Sequence, residues 1–129
     1  MSEGHVESVR AVYAEWAKGN FRAGGELFDP EIVIEPMSDG RESYRGIEAA
    51  NKQWREFFAQ WSEFRIEAQD LVEIGDTVLV TERQYGKGSS SGIETEMTFF
   101  AAWTFRDGLV VRLRWDSDRE QALEAAGLG

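Results

Sequence analysis

Apolar residues recur along this chain at two different spacings, and the switch between them divides it into helices and strands. In residues 5–18, Val6, Val9, Tyr13 and Trp16 repeat at helical spacing with Val12 beside them, while Glu7, Arg10 and Lys18 fall toward the other side. That pattern predicts an amphipathic helix, and Gly19 is a natural stop. Asn20 is placed to cap a second, short helix through Phe21, Leu27 and Phe28, closed by Asp29-Pro30 and weakened by Gly24-Gly25. In residues 31–35, Ile32 and Ile34 alternate with Val33 and Glu35, which predicts a short strand. Pro36 directly after it marks an edge strand or a strand end. Residues 37–45 are polar, with a turn at Asp39-Gly40, and read as a connector or a lid over a pocket.

The clearest helix covers residues 46–61, where Ile47, Ala50, Trp54, Phe57, Phe58 and Trp61 form one wide apolar stripe. Two strands follow, at 64–74 and 77–85, joined by a turn at Gly75-Asp76. The run of glycines and serines at 86–92 predicts a mobile loop. A long hairpin then occupies residues 94–116. Met97, Phe99, Ala101, Trp103 and Phe105 share one parity of its first arm, and Leu109, Val111, Leu113 and Trp115 one parity of its second. A period of two places each set on a single sheet face. Asp107-Gly108 between the arms suits a type I′ turn, in which both central residues take positive φ. Ser117 with Glu120, or Asp118 with Gln121, fits a capping box ahead of a last helix over 119–126, ended by Gly127. Helices early, sheet late and hairpin connections define an α+β fold with a mostly antiparallel sheet, in a single domain over residues 1–129.

Composition narrows the function classes. The formal net charge is −10, so phosphate backbones would repel the chain and nucleic acid is not expected as a partner. No apolar run is long enough to span a membrane and the N-terminus lacks the pattern of a signal peptide, so no membrane partner and a cytoplasmic location are expected. Cysteine is absent and there is one histidine, which leaves metal binding without support and points to no cofactor. Five tryptophans are the unusual feature. Tyr13, Trp16, Trp54, Phe58, Phe99, Trp103 and Trp115 read as core or as the wall of a cavity for a flat apolar ligand, because an indole fills a solid core awkwardly. The cavity is expected between the helix of Trp54 and Phe58 and the sheet face of Phe99 and Trp103.

Several stretches, taken in order, carry a family resemblance. They are the first helix followed by Gly19-Asn20-Phe21, the strand at 31–35, Tyr44-Arg45-Gly46-Ile47 opening the third helix, Ile74-Gly75-Asp76, residues 88–93 before the hairpin, and the tail 118–128. Together they resemble the NTF2-like superfamily, and within it the SnoaL-like (polyketide-cyclase-like) group. The resemblance implies a cone in which a curved, mostly antiparallel sheet wraps three N-terminal helices, with a short C-terminal helix. It implies a deep apolar pocket for a small hydrophobic molecule and a homodimer through the outer sheet face, where Phe100 and Ala102 would supply apolar surface. It does not choose a reaction, because this superfamily hosts isomerases, cyclases, hydrolases and non-catalytic binding domains.

The candidate catalytic residues are Glu35, Asp116 and Arg83. In ketosteroid-isomerase-like members a carboxylate at the position of Glu35 is the general base, and burial can tune a carboxyl for that work; the alternative is a solvated strand-end glutamate. The tyrosine and protonated aspartate that serve those enzymes as oxyanion donors are replaced here by Val12 and Ala101, with Tyr13 one residue away. SnoaL-like cyclases place an aspartate on or after the last strand, which corresponds to Asp116 or Asp118; both also sit where a helix N-terminus is capped. An epoxide-hydrolase-like relay would set Arg83 between Glu35 and Asp116. The chain is therefore read as a binder of a hydrophobic small molecule, with cofactor-free acid–base chemistry, a non-catalytic ligand-binding or dimerisation module, and a limonene-epoxide-hydrolase-like enzyme all left open.

Overall fold

A computed structural model describes residues 2–21, 23–35 and 43–125. The order is helix α1 (Ser2–Ala17), a 3-10 turn (Gly25–Leu27), strand β1 (Phe28–Glu35), strand β2 (Tyr44–Arg45), helix α2 (Ile47–Phe58), strands β3 (Trp61–Ile74), β4 (Thr77–Gly88), β5 (Glu94–Arg106) and β6 (Leu109–Asp116), and helix α3 (Arg119–Ala125). The strands form one open, curved six-stranded sheet in the order β2-β1-β6-β5-β4-β3. Only β1 and β6 run parallel; every other neighbouring pair is antiparallel. The architecture is the α+β cone of the NTF2-like type.

Helix α1 lies on the inner face of the sheet through Val9, Val12, Tyr13 and Trp16, all buried. Alternation along the strands supplies the opposing surface. Ile32 and Ile34 of β1, Val78 and Val80 of β4, Ala101, Trp103 and Phe105 of β5, and Leu113 and Trp115 of β6 join the same core. Irregularities in pairing bend the sheet. Single extra residues at Ser62 and Gln69 in β3 and at Val111 in β6 shift the register, and such bulges sharpen local twist. The turns follow their sequences, with Asp107 and Gly108 at φ 53 and 82.

Several expectations need correction. The helix expected after Asn20 is a set of turns and a three-residue 3-10 segment. Asn20 donates its amide to Glu15 instead of capping, and the indole of Trp16 donates to the Ala23 carbonyl at 3.1 Å. The cone thus holds two long helices and a turn ahead of the sheet's main body. β1 is an interior strand, paired on both sides, because Tyr44 and Arg45 form a strand where a loop was expected. Trp61 opens β3 rather than closing α2. The supposed mobile loop is half strand: β4 runs through Gly86 and Gly88, and only Ser89–Ser91 turn back. The bulge at Val111 also breaks the parity expected of β6, so Val110, not Val111, faces inward opposite Phe105. The turn at Asp39-Gly40, the proposed lid, and the helix end at Ala126 and Gly127 lie outside the described residues.

The outer face explains Phe100 and Ala102 without a partner chain. Helix α3 folds back on it, and Ala122 packs with Leu79 and Ala102, flanked by Ile74, Phe100 and Leu123. Asp118 accepts the Glu120 N–H at 2.9 Å, so it caps this helix. The apolar patch expected to form a dimer contact is therefore covered by the chain's own C-terminal helix. No described helix is long and apolar enough to cross a membrane.

Gly86 is where the strand has no room for a side chain. A Cβ there would lie 2.6 Å from the Trp61 ring. Gly86→Ala is expected to destabilise the fold by about 1–3 kcal/mol, since the indole must be displaced. Gly4→Ala, where a Cβ meets nothing within 4 Å, is the control and should not destabilise. Urea unfolding of both variants checks the contrast.

Candidate functional site

Between α2 and the inner sheet face lies a cavity of about 270 Å³, lined by Gln53, Trp54 and Phe57 of α2, Phe64 and Ile66 of β3, Gln84 of β4, Phe99 of β5 and Trp115 of β6. The wall is almost wholly apolar, and Gln53 and Gln84 are its polar points. The aromatic packing is continuous: Trp54 lies 5.7 Å from Trp16, 5.1 Å from Phe58 and 5.9 Å from Trp115 between ring centroids. A narrow extension of about 20 Å³ shares Gln53, Trp54 and Trp115 and runs toward Phe28 and Leu113. A broader hollow of about 530 Å³ sits by Trp61 and Ser89–Ser91, and no titratable side chain is among those lining it.

Beneath the cavity wall is a fully buried carboxylate, Glu82. It continues the inward parity of Val78 and Val80 on β4 and stands opposite Ala68 of β3 and Phe99 of β5. Three donors from three elements converge on it. The Tyr13 hydroxyl of α1 donates to Oε2. The Gln84 amide donates to Oε1 at 2.8 Å, and the Trp115 indole donates to the same oxygen at 3.0 Å. The Trp103 indole in turn donates to the Tyr13 oxygen at 3.1 Å.

Among the described residues no cation pairs with this group, and desolvation dominates its titration. Burial raises the Glu82 pKa to about 7, against the three hydrogen bonds, which favour the charged form. Burial, the Glu82 charge and the bond to it hold the Tyr13 phenol well above its usual value. A carboxyl that changes charge near neutrality, next to a cavity, has the physical character of a proton-exchanging group.

The sequence-derived candidates lie elsewhere. Glu35 points to the outer face, as alternation with the buried Ile34 requires, and accepts from Arg112 at 2.6 Å. Its expected approach to Trp16 or Trp103 does not occur. Arg83 is on the outer face too, half exposed and paired with Glu96. Asp116 is buried, but on the parity opposite Trp115. Arg114 Nε lies 3.3 Å from its Oδ2, yet neither Asp116 oxygen has a hydrogen-bond partner among the described residues. The three thus have three separate basic or acidic partners, and no relay joins them. Among the expected wall residues, Trp54, Phe99 and Trp115 line the cavity. Tyr13, Trp16 and Trp103 are buried behind it, and Phe58 packs against Phe21 and Phe64. Residue spacing puts Glu82 and Gln84 on one face of β4 and Arg83 and Tyr85 on the other, without saying which pair reaches the pocket; the structure turns Glu82 and Gln84 inward, continuing the run of Val78 and Val80.

A cone-shaped sheet with an aromatic cavity between its helices and its concave face is the scaffold of a small-domain pocket protein. The chain belongs to the SnoaL-like domain family, which it matches over residues 9–113. No curated protein matches its sequence. Among solved structures it is similar to a protein of Jannaschia sp. CCS1 classed as a SnoaL-like polyketide cyclase, at 22% identity and TM-score 0.78 over 88% of this chain and 85% of that one. It is also similar to TerC co-crystallised with polyporic acid, at 19% identity and TM-score 0.75 over 95% and 98%. A third is an NTF2-like protein of unknown function from Burkholderia pseudomallei K96243, at 16% identity and TM-score 0.78 over 98% and 99%. At these identities the likeness establishes the fold.

The titration of Glu82 predicts a pH-dependent stability. Its folded pKa lies above its unfolded value, so its contribution is complete below the unfolded carboxylate pKa and is lost as pH rises through about 7. Glu82→Gln removes that loss. Relative to the wild type, the variant should gain about 2–3 kcal/mol between about pH 5 and about pH 8 in urea unfolding. A difference that does not change with pH would show that Glu82 titrates as an ordinary carboxylate.

Proposed function

We propose that the chain binds a flat, largely apolar small molecule in the cavity between α2 and the sheet. The observation that supports this most directly is the lining: six aromatic or aliphatic side chains, Trp54, Phe57, Phe64, Ile66, Phe99 and Trp115, close around about 270 Å³ with Gln53 and Gln84 to fix orientation. The co-crystal of the structural relative TerC with polyporic acid is in keeping with such a ligand.

Glu82 supports a second element of the reading, cofactor-free acid–base chemistry of the isomerase or cyclase kind. Its pKa of about 7 matches the requirement for proton exchange near neutrality. Gln84 and Trp115 stand between it and the cavity, so contact with a substrate requires one of them to swing aside. The purely ligand-binding alternative needs no such motion. The epoxide-hydrolase alternative has the least support, because Glu35, Arg83 and Asp116 occupy the opposite sheet face.

Binding of naphthalene-sized aromatics, followed through the indole N–H signals of Trp54 and Trp115 by NMR, tests the reading. Phe99→Lys places a cation in the wall and should weaken binding about tenfold or more. Unchanged affinity in that variant would place the ligand elsewhere and remove the proposal.

A homodimer and a cytoplasmic location are kept as proposals. With α3 over Phe100 and Ala102, a dimer contact would rest on the outer face beyond that helix, around Arg83, Tyr85 and Thr98. Sedimentation equilibrium should then show a dimer at micromolar concentration; a monomer would overturn the assembly.

A further inference from the structure

Gln84 is the polar residue of the cavity floor, and its orientation is not its own choice. Its Nε2 donates to Glu82 Oε1 at 2.8 Å. An ionised carboxylate only accepts hydrogen bonds, so the nitrogen end of the amide must face Glu82. The carbonyl end is then the one left for the cavity that Gln84 lines.

We propose that Glu82 is a positioning residue that sets the polarity of the pocket floor, so that the pocket selects a flat aromatic ligand carrying a hydroxyl or N–H donor. This rests on the binding reading given above and names its ligand class. Ligands of the same shape that offer only an acceptor, such as ethers, meet a carbonyl oxygen and leave it unpaired. A buried polar group without a partner is what makes hydrogen-bonding sites discriminate strongly. Gln53, the other polar lining residue, has no such fixed neighbour in the carboxylate network, so it can present either end and adds no preference.

The arrangement is also a switch of recognition. When Glu82 takes up a proton it can donate to the Gln84 carbonyl, which lets the amide turn over and present its N–H groups to the cavity. The groups facing Glu82 are few. Helix α1 contributes the Tyr13 phenol, β6 the Trp115 indole, β3 Ala68, and β5 Phe99. Among the described residues Tyr13 is thus the titratable neighbour, and it stays protonated because burial and Glu82 raise its pKa. The change of floor polarity therefore follows Glu82, around a pH of about 7.

The test compares 2-naphthol, which brings a donor, with 2-methoxynaphthalene, which does not, by calorimetric titration. At about pH 8 the wild type should bind 2-naphthol about tenfold more tightly, and at about pH 6 the ratio should fall toward one. In Glu82→Gln the neutral amide can donate or accept, so the ratio should stay near one at both pH values. Gln84→Met removes the floor oxygen without touching the Tyr13–Glu82 bond and should also give a ratio near one. Equal binding by the wild type at about pH 8 overturns the proposal, as does a ratio that persists in Glu82→Gln or ignores pH. If Glu82→Gln does not fold, the wild-type pH series and Gln84→Met decide. If binding of both probes survives Phe99→Lys unchanged, or neither binds at all, it is the pocket reading that fails, and this inference falls with it.

Discussion

The buried carboxylate of Glu82 is the constraint around which the rest of this structure is arranged. Removing a charge from water is expensive unless several donors replace the lost hydration. Here the donors come from α1, β4 and β6, so the site holds only if helix and sheet are docked in one particular way. Tyr13 and Trp115 are otherwise apolar bodies, suited to a packed interior, and each brings one polar atom to the carboxylate. The same contacts that satisfy Glu82 therefore fix the position of α1 on the sheet and of Trp115 in the cavity wall. A purely apolar core would allow helix α1 more ways to settle.

The two faces of the sheet divide the work. Inward positions carry the aromatic wall and the carboxylate network. Outward positions carry ion pairs, such as Arg112 with Glu35 and Arg83 with Glu96, together with the small apolar patch beneath α3. Neutralised outer charges lie in or near water, where an ion pair contributes little to stability. The inner carboxylate has no counter-charge among the described residues, and its proton becomes the variable that the pocket can use.

Much of the fold could be read from residue spacing. The helical repeat of Val9, Tyr13 and Trp16, the alternation in β5 and the Asp107-Gly108 turn each specify local geometry strongly. What spacing did not show was the pairing of β1 with β6, which depends on contacts between residues 28–35 and 110–114 far apart in the chain. A two-residue strand such as β2 and a single bulge at Val111 leave almost no pattern of their own. The site was less legible, for a different reason. Glu35, Arg83 and Asp116 were selected by their positions in a family pattern, whereas alternation with Ile34, Glu82 and Trp115 puts all three on the outer face. Glu82 had the opposite character: unremarkable as a motif, but on the inward parity, where a lone carboxylate is anomalous. Strand parity was the more reliable guide because it is set by backbone geometry, and it does not change with the chemistry a family performs.

The sheet is open, and one of its two margins is β3, a strand of 14 residues. A margin of that length offers unpaired backbone groups to any extended chain that approaches, including another copy of itself during synthesis. Two features of this strand bear on the hazard. The bulges at Ser62 and Gln69 interrupt the even ladder that an incoming strand would need, and Glu63, Arg65, Glu67 and Asp70 place charged side chains along it. The kinks that curve the sheet around its cavity thus also make this border a less regular template for strand addition, so that hollowness and a guarded edge have a common structural origin.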